Sequence, residues 1–87
     1  MRIWATLHKN NKIIQNVTAE STNDDPAYAL MECLEYAYKK LDLAEPVWVK
    51  KHATDLSRFG RTRFYPDDFM EPVAFDWFEV ERLKEDE

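Results

Sequence analysis

Cys33, His8 and His52 are the side chains best suited to nucleophilic chemistry in this chain. A thiol attacks only as an accessible thiolate near a base, and imidazole is a common base. Cys33, however, falls at the edge of an apolar helical stripe, where a free cysteine behaves as a small hydrophobe. His8, His52, Asp55, Asp67 and Asp68 offer nitrogen and oxygen donors for a metal. His52 and Asp55 lie three apart, but no second histidine pair or cysteine cluster supports them. Asp67-Asp68 more simply stabilises the start of a helical turn after Pro66. Asp67 with Asp76 or Glu79 could make a carboxylate pair for acid–base work, yet no nucleophile or oxyanion device accompanies them. The single glycine, Gly60, leaves no glycine-rich phosphate loop. These patterns assign no catalytic residue, no metal site and no cofactor, and rank an enzyme third among the functional readings.

The stretch 50–65 is chemically more distinctive. It interleaves Lys50, Lys51, His52, Arg58, Arg61 and Arg63 with Phe59, Phe64 and Tyr65. Cations neutralise phosphates while aromatic faces stack on unpaired bases, so Lys50, Lys51, Arg58, Arg61, Arg63, Phe64 and Tyr65 form a candidate single-stranded nucleic-acid patch. The simpler reading makes Phe59 and Phe64 core residues with the charges solvated around them. Charge is unevenly spread: residues 50–63 carry +4 and residues 67–87 carry −7, within a chain of net charge −5. A cationic segment beside a more strongly anionic one gives only a weak field for a polyanion.

The elements that must position these groups follow from local pattern. Residues 2–8 and 12–18 read as a β-hairpin around Asn10-Asn11, since asparagine tolerates the positive φ of a type I′ turn. A two-residue turn places Ile3 opposite Thr18, Ala5 opposite Asn16 and Leu7 opposite Ile14 on the core face. It places Trp4 opposite Val17 and His8 opposite Ile13 on the other face. Asp25 can cap a helix with Pro26 in its first turn, running to about residue 41. Its apolar stripe is Ala27, Leu30, Leu34, Ala37 and Leu41, opposite Tyr28, Glu32, Glu35 and Lys39. Residues 47–50 read as a strand, residues 55–59 as a helical turn stopped by Gly60, and residues 61–65 as a short strand. Pro66 opens another helical turn. Residues 73–82 read as a last strand whose apolar residues change phase between Phe75 and Phe78, which a β-bulge near Asp76-Trp77 would correct.

Eighty-seven residues suit one domain, expected over 1–83 with a frayed acidic tail at 84–87. A 14% aromatic content, including three Trp, supplies an efficient small core. One cysteine permits no internal disulfide, the first residues do not form a signal peptide, and no apolar run approaches the about 20 residues that span a bilayer. A cytoplasmic location without membrane attachment is the expectation.

Pro46-Val47-Trp48-Val49 through Phe64, then Asp67-Asp68-Phe69 and Phe75-Asp76, resembles small uncharacterised conserved bacterial proteins. The resemblance rests on aromatic spacing over about half the chain and implies no activity.

The expected fold is α+β: a mainly antiparallel sheet of four or five strands with one long helix on one face, in the order ββαβ(β)β, and short helical turns within 52–70. One helix covers one face. The other is solvated, capped by the 52–70 region, or used to bind. Trp4, Ile13, Val17 and Trp77 mark it as a candidate protein interface. The leading functional reading is a small non-enzymatic protein-interaction module, with a homodimer as its simplest form. The alternative is single-stranded nucleic-acid binding through 50–65.

Overall fold

The computed structural model of the chain describes residues 1–84. The expected frayed tail therefore lies, beyond Lys84, outside the described residues. Asn10 and Asn11 take φ of 54° and 63°, as the type I′ turn requires, and join β1 (Arg2–Lys9) to β2 (Lys12–Glu20). Next to the turn the pairing is as the sequence predicts, with Lys9 opposite Lys12 and His8 opposite Ile13. One step further Leu7 faces Gln15, so Ile14 is an extra residue in a bulge.

That one residue corrects the rest of the predicted register. Ile3 faces Ala19, Trp4 faces Thr18 and Ala5 faces Val17. A shift of one position exchanges the two faces of a strand. Val17 and Ala19 thus join Ile3, Ala5 and Leu7 in the core, while Ile14 remains half exposed.

β4 (Trp77–Leu83) pairs with the other edge of β1, and β3 (Arg61–Phe64) pairs with β4. The result is a four-stranded, wholly antiparallel sheet in the order β2-β1-β4-β3, an α+β fold. The last strand needs no bulge. It begins at Trp77, and Phe75 belongs to the preceding link, where it packs edge-on against Phe69 at 5.4 Å.

α1 (Pro26–Leu41) starts where the sequence places it. The Asp25 carboxylate accepts the N–H groups of Ala27 and Tyr28 at 2.9 and 3.4 Å. Its buried residues are Ala29, Cys33, Leu34, Ala37, Tyr38 and Leu41, so the buried stripe is rotated toward Cys33 and Tyr38 and leaves Ala27 outside. The helix ends on Asp42 in the left-handed region, and Leu43 N–H closes on Tyr38 C=O at 2.8 Å.

Residues 47–50 do not form the expected strand. Lys50 opens a second helix, α2 (Lys50–Phe59), closed by Gly60 at φ 74° with its N–H on Leu56 C=O. No Ser, Thr or Asp caps α2. Instead His52, in its first turn, accepts Val49 N–H on Nδ1 at 3.1 Å, which is one half of a capping box supplied by an imidazole. His52 is also 2% exposed, stacked on Phe64 at 4.1 Å and edge-on to Trp48 at 5.9 Å. Phe64 meets Trp48 at 4.9 Å and Phe78 at 5.8 Å, Phe78 meets Tyr38, and Trp48 Nε1–H donates to Tyr38 Oη at 3.3 Å. Both helices therefore lie on the same face of the sheet. A 3₁₀ turn, Pro66–Asp68, follows β3. Among the described residues no helix is long and apolar enough to cross a membrane.

Two measurements check this packing. Ala19→Asp, which buries a charge beside Ile3, should cost about 3 kcal/mol or more in denaturant unfolding, whereas Thr18→Asp should stay within about 0.5 kcal/mol. The reverse order would restore the unbulged register. Burial, opposed by the Trp48 hydrogen bond and aided by Glu45, pushes Tyr38 up to about 12. An unfolded tyrosine ionises near pH 10. The unfolded state thus loses its proton first as pH rises, and stability falls by about 2–3 kcal/mol between pH 10 and 12. Tyr38→Phe should remove this loss from alkaline melts.

Candidate interaction surface

With α1 and α2 on one side, strand alternation assigns the other side of the sheet. β1 sends Arg2, Trp4, Thr6 and His8 there, and β4 sends Trp77, Glu79 and Glu81. β3 adds Arg61 and Arg63, and β2 adds Ile13, Asn16, Thr18 and Glu20. No helix among the described residues covers this face. The 52–70 region does not cap it: Leu56 and His52 are buried on the helix side, Phe69 packs on Phe75, and Phe59 is 67% exposed.

The centre of the face is an ordered cluster. The Trp77 indole stacks on the His8 ring at 4.7 Å and 16° between planes, and the Arg63 guanidinium lies 4.9 Å from its centroid. β1 and β3 flank β4, so His8 and Arg63 approach Trp77 from opposite sides. Arg63 Nε–H donates to Glu79 Oε1 at 2.9 Å. That carboxylate, with the Tyr65 hydroxyl, raises the arginine pKa further. His8 Nε2 and Thr6 Oγ1 share a hydrogen bond of 2.7 Å, and Trp4 Nε1–H donates to Asn16 Oδ1 at 3.3 Å. Trp77 Nε1 is buried and finds no acceptor among the described residues. An unmade hydrogen bond of this kind costs about 1–3 kcal/mol.

Three of the four residues expected at a protein interface, Trp4, Ile13 and Trp77, do share this face. Val17 does not: the bulge turns it onto the core opposite Ala5. Sequence reasoning missed Thr6, His8, Arg63 and Glu79 as neighbours of Trp77. The signal available was parity, since they alternate with core residues along β1, β3 and β4.

The basic stretch is divided. Lys50, Lys51 and Arg58 lie exposed on α2, and Arg61 and Arg63 on β3. Phe64 is fully buried among Trp48, His52 and Phe78, so its ring is not free to stack on a base. Tyr65 is exposed, with Lys51 Nζ 6.0 Å from its ring centroid.

The other chemical constellations do not assemble. Thr6 and His8 have the contact of a hydroxyl nucleophile and its base, but Thr6 is 1% exposed and so closed to a substrate. Cys33 is fully buried, and burial, opposed by the N-terminal ammonium and aided by Glu32 and Glu20, pushes its thiol up. Asp76 accepts Asn10 N–H, Asp68 accepts Tyr65 N–H, and Glu79 holds Arg63, so the acids serve different local contacts. Among the described residues, no group of three His, Cys, Asp or Glu side chains could hold a metal. No protein-family model, curated protein or solved structure matches the chain.

Burial of Cys33 gives a direct check. At neutral pH the native protein should leave the thiol unreacted toward a water-soluble aromatic disulfide reagent, and denaturant should release full reactivity. Modification of the native protein at the rate of a free thiol would return Cys33 to the list of nucleophiles.

Proposed function

We propose that the chain is a non-enzymatic protein-interaction module whose helix-free sheet face is its binding surface. One observation supports this reading most: α1 and α2 stack on the same side, leaving Trp4, His8 and Trp77 together on the other. A cluster of aromatics with charges at its margin has the composition of an interface centre and rim. A second copy of the chain is the simplest occupant. A two-fold interface must be self-complementary. This face carries Arg2, Arg61 and Arg63 against Glu20, Glu79 and Glu81, with Trp4, Thr6 and His8 along β1.

Single-stranded nucleic acid is the weaker occupant. The face has as many of these carboxylates as cations, and Arg63 is already bonded to Glu79. A polyphosphate would meet Glu79 and Glu81 of β4 between the arginines of β3 and Trp4 of β1.

Sedimentation at micromolar concentration tests the proposal. The wild type should sediment as a dimer. Thr18→Arg, at an exposed site opposite Trp4, should give a folded monomer with an unchanged circular dichroism spectrum. A wild-type monomer at high protein concentration overturns self-association through this face.

A further inference from the structure

β3 is an edge strand, and its outer side is open. Gly60 C=O accepts Arg82 N–H at 2.7 Å, which marks a hydrogen-bonded position of the β3–β4 ladder. Antiparallel alternation then turns Thr62 and Phe64 toward β4, and turns the backbone N–H and C=O of Arg61 and Arg63 outward. Beside this edge runs α2. Lys51, Asp55 and Phe59 recur every fourth residue along it and form one wall of a groove of about 330 Å³. Arg61, Thr62, Arg63 and Tyr65 form the other. Thr62 Oγ1–H donates to Asp55 at 3.4 Å across the floor. Phe59 and Tyr65, which flank β3 in sequence, are 67% and 42% exposed.

We infer that this groove accepts an extended segment of a partner protein as a fifth strand, and that the segment alternates acidic and apolar residues. A helix beside an open strand edge is a common setting for strand addition, in which backbone bonds give affinity and alternate side chains give specificity. One set of side chains in an added strand would lie beside Arg61 and Arg63, and the other would turn toward the α2 wall and Phe59. Among the described residues Arg61, Lys51 and Arg58 make no ion pair, and Lys51 and Arg58 lie instead 6.0 and 5.9 Å from the ring centroids of Tyr65 and Phe59. The inner neighbour of β3 already has the required pattern. In β4, Glu79 and Glu81 face Arg63 and Arg61, while Phe78 and Val80 turn toward the helices. A docked segment would repeat on the outer edge the pairing that β4 makes on the inner one. Asp55 in the α2 wall disfavours a continuous polyphosphate, but a neutral backbone with spaced carboxylates can pass it.

The probe is a fluorescein-labelled peptide of sequence Thr-Glu-Val-Glu-Val-Thr, followed by anisotropy with the full chain. Binding should weaken by about tenfold or more in Arg61→Glu and in Lys51→Glu, both exposed positions whose folding is checked by circular dichroism. Alternate N-methylation of the peptide should abolish binding, because it removes ladder donors without changing charge. Thr18→Arg should bind the peptide as the wild type does, so failure of the sheet-face reading and failure of the groove are separable. Equal binding of the N-methylated peptide, or of a lysine-for-glutamate peptide, overturns strand addition by an acidic segment. Tighter binding of oligothymidylate, lost in Arg61→Glu, reassigns the groove to nucleic acid.

Discussion

Five rings from five parts of the chain close on one another behind the sheet: Tyr38 of α1, Trp48 of the link, His52 of α2, Phe64 of β3 and Phe78 of β4. Each contact adds modestly, about 0.5–1.5 kcal/mol beyond burial for an aromatic pair. Their arrangement matters more than their sum. Trp48 is bonded to Tyr38, which fixes the link against α1. His52 caps α2 with one nitrogen, holds its other 3.6 Å from Asp68 Oδ2, and lays its ring on Phe64. The position of α2, and therefore of the β3 edge beside it, depends on this cluster.

Stacking both helices behind the sheet gives its faces different materials. The helix side is aliphatic and aromatic and dry, centred on Ile3, Ala5, Phe78 and Val80. The open side is held by polar and π contacts: Thr6 with His8, His8 with Trp77, Trp77 with Arg63, Arg63 with Glu79. Such contacts orient side chains without excluding water entirely. The open face is consequently preorganised, which lowers the entropic cost of engaging a partner.

Much of this architecture is legible in the sequence because the signals are local. Asn10-Asn11 specifies the turn, Asp25-Pro26 starts α1, Gly60 ends α2, and Pro66-Asp67-Asp68 gives its short turn. What escapes is set by tertiary contacts. Nothing local marks Ile14 as the bulged residue. The register shift follows from the need to put Val17 and Ala19, rather than Asn16 and Thr18, into the core. The start of α2 is hidden because its cap is a histidine, and because Val47 and Val49 imitate a strand. Phe75 looks out of phase only while it is assigned to β4. The candidate surface is legible to the same degree: Trp4 follows from parity within β1, Ile13 from its place between the turn and the bulge, and Trp77 from parity within β4, while Val17 lies beyond the bulge and is lost with it.

The central pair of the sheet is made of the first strand and the last, with Arg2 opposite Leu83 and His8 opposite Trp77. The middle of the core is thus sealed by the two ends of the described chain, after both helices have been laid down between them. Bringing such distant segments together costs loop-closure entropy before any contact repays it, and domains dominated by long-range pairing fold slowly. A chain emerging from the ribosome cannot complete this sheet until β4 is free. Until then β1 has β2 along one side and an open edge along the other, carrying the apolar Ile3, Ala5 and Leu7. During synthesis that edge is this fold's point of exposure to misassociation.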